Sequence, residues 1–114
     1  MASPLGDAVI GALSFGRPSS EAVFDVPVSI ASSTELVAPN PASFIRVTGT
    51  TSITSIAAAD SLPGRNVVFQ FTGVLTFTNG NNLKLESNFT TAADATITLV
   101  CDGADWYEVS RVAR

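Results

Sequence analysis

The chain contains no histidine and only one cysteine, and both facts exclude chemistry. Its 114 residues include Cys101 and no His. Without histidine there is no Ser-His-Asp or Cys-His arrangement, and the commonest metal ligand is missing. A lone cysteine excludes an intrachain disulfide and a cysteine-built zinc site. We therefore expect no catalytic residues, no metal and no cofactor, and we predict that the protein is not an enzyme.

Charge is also scarce. Charged residues make up 14% of the chain and the net charge is -4, against about 25% charged residues in an average domain. The basic residues are scattered as Arg17, Arg46, Arg65, Lys84, Arg111 and Arg114. Binding to a phosphate backbone needs clustered cations, so nucleic acid is not expected as a partner. Few charges also mean little repulsion between copies, which favours an oligomer over the alternative of a polar, uncharged monomer.

Long apolar runs are absent as well. No stretch approaches the roughly 20 apolar residues that a membrane-spanning helix needs. The first seven residues include Asp7 and no Lys or Arg, whereas a secretory signal begins with basic residues. We expect synthesis in a cytoplasm and no membrane partner.

Residues 1–20 differ from the rest and are predicted to form an N-terminal arm. Ser3 and Pro4 suit the start of a short helix. Ordering about 15 residues costs on the order of 15–30 kcal/mol, whereas burying five large apolar side chains returns about 8–15 kcal/mol. The arm must therefore dock, either on its own domain or on a partner. Its candidate partner-binding residues are Leu5, Val9, Ile10, Leu13 and Phe15.

Residues 21–114 are predicted to form one β-domain. Apolar side chains recur at every second position in residues 21–31, 67–71 and 97–101, the period of a strand with one buried face. Asn79-Gly80 and Asp102-Gly103 are turn dipeptides. Seven or eight short strands at this spacing indicate an all-β fold, a compact antiparallel sandwich or a barrel-like domain. Cys101 continues one alternating run, so it is predicted to be buried.

Two groups near the C-terminus could carry chemistry. The acidic side chains of Asp102, Asp105 and Glu108 are close in sequence, and a pair of carboxylates could serve a glycosidase. Asp102 and Asp105 flank Gly103 in a predicted hairpin loop, which favours a role in holding the turn over a catalytic or calcium-binding role. Trp106 and Tyr107 could stack on a sugar, although adjacent rings in a strand more often lie one in the core and one on the outer surface.

The C-terminal half resembles the β-rich trimeric module of tailed-bacteriophage virion proteins, which occurs in tail fibres, tail spikes, head fibres and capsid decoration (cement) proteins. The resemblance covers about residues 50–111, through segments 67–77, 82–85, 88–100 and 102–111. Its most specific part is the closing pattern T-x-T-L-V-x-D-G-x-x-W-Y-E-V-S-R. No catalytic residue accompanies this module, because the proteins it resembles use it for trimerisation and attachment.

The resemblance implies a homotrimer located in the virion. The short chain and the N-terminal arm favour a decoration protein that binds the major capsid protein on the outer surface of the mature head and stabilises the shell, after synthesis in the host cytoplasm. The alternative is a tail-fibre, tail-spike or head-fibre module for trimerisation and host attachment, and a small glycan-active enzyme is a third possibility. Candidate subunit contacts in the trimer are Trp106, Tyr107, Phe69, Phe71 and Phe77.

Overall fold

The computed structural model describes residues 27–114, which form ten short strands and one 3-10 turn. The predicted arm at residues 1–20 lies outside the described residues. The strands are β1 (Val28–Ala31), β2 (Glu35–Leu36), β3 (Phe44–Thr48), β4 (Ser55–Ile56), β5 (Asn66–Phe71), β6 (Thr76–Phe77), β7 (Leu83–Lys84), β8 (Phe89–Thr90), β9 (Thr96–Cys101) and β10 (Trp106–Val112), with the 3-10 turn at Ala58–Asp60. The prediction of a mostly β protein is confirmed, with more and shorter strands than expected.

Six of the strands form one mixed sheet in the order β1-β3-β5-β9-β10-β7. β1, β3 and β5 are parallel to one another. β9 pairs antiparallel with both β5 and β10, and β7 closes the far edge parallel to β10. β1 directly follows Pro27 and is an edge strand, a position where proline, which lacks a backbone N–H, is tolerated.

The remaining strands form a second layer. β2 and β4 pair in parallel, β6 and β8 pair antiparallel, and a parallel bridge joins Ile53 to Phe77. From β1 to β6 the chain alternates between the two layers, so successive turns stack as in a β-solenoid. A two-layer sandwich therefore fits, but the antiparallel pairing predicted for it is wrong for β1 with β3, β3 with β5, β2 with β4 and β7 with β10, which pair in parallel. A connection that passes through the other layer returns the chain to the same end of the sheet, which makes the next strand parallel.

The hydrophobic core lies between the two layers. Alternate residues of β3, β5 and β9 are buried, as the period-two pattern predicts. They meet buried residues of the second layer, including Leu36, Ile53, Ile56 and Phe77, in one cluster. Cys101 belongs to this cluster and is 2% exposed, which confirms its predicted burial.

Arg65 fastens the loops at one end of this core. Its guanidinium donates to the carbonyl oxygens of Ala38 (2.8 Å), Asp60 (2.9 Å) and Ala42 (3.0 Å), and also to that of Pro39. The Arg65 Cζ atom lies 5.9 Å from the centre of the Trp106 ring. Burial lowers the pKa of Arg65, and the nearby Asp60 partly opposes this effect. One side chain thus joins the loop after β2, the 3-10 turn and β10.

A β-bulge in β10 changes which side chains share a face. Trp106 pairs with Cys101 and Glu108 with Leu99, but the register then shifts so that Ser110 pairs with Thr98. Strict alternation predicts Ser110 on the same side as Trp106. The extra residue at Val109 instead moves Ser110 to the side of Tyr107, because a bulge inserts one unpaired residue and resets the alternation.

Candidate interaction surface

The side of the six-stranded sheet that faces away from the core is the candidate functional surface, called here the outer face. Its side chains are at most partly buried, whereas those on the opposite side of β3, β5 and β9 are fully buried. The second layer therefore packs on the inner side alone among residues 27–114. The outer face comprises Ser29, Phe44, Arg46, Asn66, Val68, Gln70, Lys84, Thr96, Thr98, Val100, Tyr107, Ser110 and Val112.

The central row of the outer face carries no charge. The strand register places side by side Phe44, Val68, Thr98 and Ser110. A second row contains Arg46, Gln70, Thr96 and Val112, and a third contains Asn66, Val100, Tyr107 and Lys84. Aliphatic, aromatic and hydroxyl side chains therefore dominate the centre of a broad, regular surface.

The charged groups of the outer face lie toward its margins. Nε of Arg46 donates to Oε1 of Gln70 (3.1 Å). Nε2 of Gln70 in turn donates to Oδ1 of Asp94 (3.4 Å), which lies just before β9. Lys84 is on β7, the strand at the edge of the sheet. The Arg46 charge is thus joined through Gln70 to an acidic group beyond the sheet, and the middle of the face remains neutral.

Tyr107 is the exposed aromatic side chain of the outer face, with 41% of its surface accessible. Its hydroxyl donates to Oδ2 of Asp102 (3.1 Å), which fixes the ring. Oδ1 of Asp102 accepts from the backbone N–H groups of Ala104 (2.9 Å) and Asp105 (2.8 Å). These backbone hydrogen bonds lower the pKa of Asp102, and the hydrogen bond to Asp102 raises the pKa of Tyr107. Asp102 therefore stabilises the turn, as the sequence favours.

Glu108 lies on the core side of β10 and holds a neighbouring loop. Its carboxylate accepts from Nε and Nη2 of Arg111, at 2.7 Å and 2.8 Å, and from the backbone N–H of Glu86 (3.0 Å). Nη2 of Arg111 also donates to the Ser87 carbonyl oxygen (2.8 Å), and Arg111 Cζ lies 4.7 Å from the centre of the Phe89 ring. The Arg111 hydrogen bond lowers the pKa of Glu108. The arrangement ties β10 to the loop between β7 and β8.

Asp102 and Glu108, two of the three carboxylates considered for glycosidase chemistry, are thus both stabilised as anions. A general acid in such a mechanism needs a raised pKa, whereas the pKa values of Asp102 and Glu108 are lowered. Within residues 27–114 there is also no group of three His, Cys, Asp or Glu side chains placed to hold a metal ion. Asp102 instead stabilises the turn after β9, and Glu108 with Arg111 stabilises the loop between β7 and β8.

The structure places four of the five residues considered for subunit contacts in the core of the chain itself. Trp106, Phe69, Phe71 and Phe77 are each 0% exposed. The Phe77 ring centre lies 6.1 Å from that of Phe69 and 5.8 Å from that of Phe71, so these rings pack against one another between the layers. Side chains that solvent does not reach cannot contact a second subunit in this conformation. Tyr107 alone of the five lies on the outer face.

The sequence reasoning missed most residues of the outer face. Val68, Thr98 and Val100 occupy the positions between the core residues of β5 and β9, where a strand normally shows polar side chains to solvent. The available signal was the absence of charge at these positions: on β5 and β9 they hold Asn, Val, Gln and Thr and no Asp, Glu, Lys or Arg. Uncharged outward positions are more typical of the core of a protein interface than of a solvent-facing strand.

The candidate arm residues Leu5, Val9, Ile10, Leu13 and Phe15 lie outside the described residues. The part of the chain that the structure describes has no helix of the length and apolar character needed to cross a bilayer. Comparisons with protein-family models, with curated proteins and with solved structures gave no match.

Proposed function

We propose that this chain is a structural virion protein, a capsid decoration (cement) protein of a tailed bacteriophage that binds the outer surface of the mature head as a homotrimer. The observation that carries the proposal is the outer face, a broad sheet surface whose central row, Phe44, Val68, Thr98 and Ser110, bears no charge. A surface of this composition suits protein contact, since the cores of interfaces are depleted in charged residues. The resemblance of residues 50–111 to trimeric virion modules supports a homotrimer that is part of the virion.

The fold supports a mechanical role. The two layers share one continuous core, and Arg65 and the Glu108–Arg111 pair fasten loops to strands at separate places. Such a body resists deformation because protein interiors are close-packed and these hydrogen bonds hold its loops to its strands. It is suited to linking neighbouring shell subunits.

The proposed mechanism is stabilisation by selective binding. A protein that binds the assembled shell and not its separated subunits stabilises the shell by RT ln(1 + [L]/Kd). In this proposal the arm at residues 1–20 contacts the major capsid protein. Three arms on one trimer act together, and effective concentration raises avidity by about 10² to 10⁴ over one arm. Each arm therefore needs only modest affinity.

Co-sedimentation with purified heads of the phage that encodes the chain tests this function. The unmodified protein is expected to sediment with mature heads. A variant lacking residues 1–15, or the full-length variant Leu5→Ser, Val9→Ser, Leu13→Ser, is expected to remain folded and to stay in the supernatant. The matched control Ser3→Ala, Ser14→Ala changes the same segment without removing apolar side chains, and should bind normally.

One result would contradict the decoration role, and another would contradict only the role of the arm. Failure of the unmodified protein to bind heads removes the decoration role. Normal binding by both arm variants leaves a decoration role but removes the arm from the contact with the shell.

The exposed ring of Tyr107 favours host attachment as a second candidate function, in a tail-fibre, tail-spike or head-fibre module. An accessible tyrosine held by Asp102 can stack on a sugar without losing much side-chain freedom. A glycan array probed with the unmodified protein and with Tyr107→Ala tests this alternative. Binding that is lost in Tyr107→Ala supports attachment, and no binding by either protein counts against it.

A further inference from the structure

We infer that the outer face is the surface through which copies of this chain meet, with three outer faces surrounding the three-fold axis of the assembly. The inference rests on the proposed function, which supplies the trimer, and adds where its contact lies. It also separates two surfaces: the outer face is used between copies, and the shell is bound elsewhere.

The size of the outer face suits this role. Six strands at about 4.8 Å spacing and about five residues at about 3.3 Å each give a footprint on the order of 500 Å². Three such footprints around the axis total about 1,500 Å² in the trimer, comparable with the total area buried in one standard-size protein–protein interface. The partly buried Phe44, Val68 and Val100, together with the more exposed Tyr107 and Val112, provide apolar area across this footprint.

The chemistry of the face points to a copy of itself as the occupant. A charged group near a symmetry axis meets its own copies, which repel it. The central row avoids this cost because it contains no Asp, Glu, Lys or Arg. The hydroxyls of Thr96, Thr98 and Ser110 each donate and accept hydrogen bonds, so copies of one face can pair. A strongly charged partner would find no oppositely charged side chain in this central row.

The distribution of charge agrees with this choice. The whole chain carries -4, yet the charged residues on the outer face, Arg46 and Lys84, are both basic, and Arg46 is engaged with Gln70. The acidic side chains of Asp60, Asp102 and Asp105 belong to turns and loops outside the sheet. Copies that meet through the outer face therefore bring no acidic side chain of its strands into the contact. The nearest acidic groups, Asp94 and Asp102, lie in the loops at its margin and are hydrogen-bonded to Gln70 and Tyr107.

A substitution at the centre of the outer face tests the inference, because loss of the contact between copies lowers the mass measured in solution. Thr98→Arg brings charges together at the contact, and light scattering is expected to show a threefold fall in mass relative to the unmodified trimer. Thr90→Arg is the matched control, because it makes the same change on an exposed position of β8 in the second layer. Val112→Lys, at a 45% exposed position of the outer face, is a milder second variant. Emission from Trp106 reports whether each variant remains folded.

Cross-linking provides an independent reading on the folded protein. Thr98→Cys places a thiol on the outer face, and a short bis-maleimide is expected to join chains in pairs. Ala59→Cys, exposed in the 3-10 turn, is the control and should give at least tenfold less cross-linked product. The unmodified protein reports any contribution of Cys101, which is buried.

The outcomes separate this inference from the proposed function. If the unmodified protein is a trimer and both Thr98→Arg and Val112→Lys remain trimers, the contact lies elsewhere and the inference is overturned while the decoration role stands. If the unmodified protein is a monomer, the homotrimer and the inference both fail. If the Thr98→Cys variant is a monomer whose introduced thiol is shielded from maleimide, another segment of the same chain covers the outer face, which also overturns the inference.

Discussion

The buried hydrogen bond between Trp106 and Ser61 gives a sharp test of how the two layers are held together. Nε1 of Trp106 donates to Oγ of Ser61 at 2.8 Å, and the two side chains are 0% and 4% exposed. Ser61→Ala removes the acceptor and leaves the indole N–H without its partner in the core. An unsatisfied buried donor costs about 1–3 kcal/mol, so we expect the free energy of unfolding to fall by about 2 kcal/mol. With a urea m-value of about 1–2 kcal/mol/M, the midpoint should fall by about 1–2 M.

Urea unfolding followed by fluorescence measures this directly, because Trp106 is the sole tryptophan of the chain. All proteins should be compared at one concentration, since association would contribute to apparent stability. Ser52→Ala, at an exposed position, is the matched control and should change stability by less than about 0.5 kcal/mol. The reasoning is refuted if Ser61→Ala costs no more than Ser52→Ala.

A double-mutant cycle identifies the cause. In Trp106→Phe the donor is absent, so the further change Ser61→Ala should cost at least about 1 kcal/mol less than it does with Trp106 present. Circular dichroism replaces fluorescence in this background. An equal cost in both backgrounds means that Ser61 acts through its hydrogen bond to the Ala57 carbonyl oxygen (3.1 Å) and not through the indole.

Three further predictions concern the turns and the fastened loops. Gly49→Ala is expected to destabilise the protein more than Gly64→Ala in urea unfolding. Both glycines have positive φ (85° and 79°), where a side chain costs about 1–2 kcal/mol. Only at Gly49 would the added Cβ also come within 2.9 Å of Ser32 Oγ. Equal losses would remove the steric contribution. Arg65→Lys should lower the thermal midpoint and cost about 2–3 kcal/mol, because an ammonium cannot span the same carbonyls; a loss under about 0.5 kcal/mol contradicts its fastening role. Glu108→Gln should cost about 1–2 kcal/mol at pH 7. Because the folded-state pKa of Glu108 lies below its ordinary value of 4.5, this difference should be constant above that pH and disappear as pH falls through the folded pKa; a difference that persists in acid contradicts the ion pair as its source.

Much of the local structure follows from the sequence, because the alternation in β5 and β9 is set by which side chains are buried. The same pattern correctly indicates that Cys101 lies in the core. Phe69, Phe71 and Phe77 are predicted from the sequence at a subunit contact, but the structure packs the two rings of β5 against Phe77 of the second layer. A hydrophobic strand face does not reveal from its pattern alone whether the same chain or another subunit covers it.

The parallel stacking of β1, β3 and β5 could not be predicted in this way. The strands of the second layer that separate them are two residues long, too short for a periodic signal, so the alternation between layers is hidden in segments that read as loops. The bulge at Val109 is similarly silent in the sequence and moves Ser110 to the outer face. The outer face therefore emerges from pairing between distant segments, which local periodicity does not encode.

The mass of the unmodified full-length chain in solution tests the central claim most directly. Light scattering at micromolar concentration is expected to give three times the chain mass of 11.8 kDa, because the outer face, with its uncharged central row, is proposed to be buried between three copies. A mass of one chain that does not change with concentration would contradict the account, since a lone subunit leaves the outer face without the contact proposed for it.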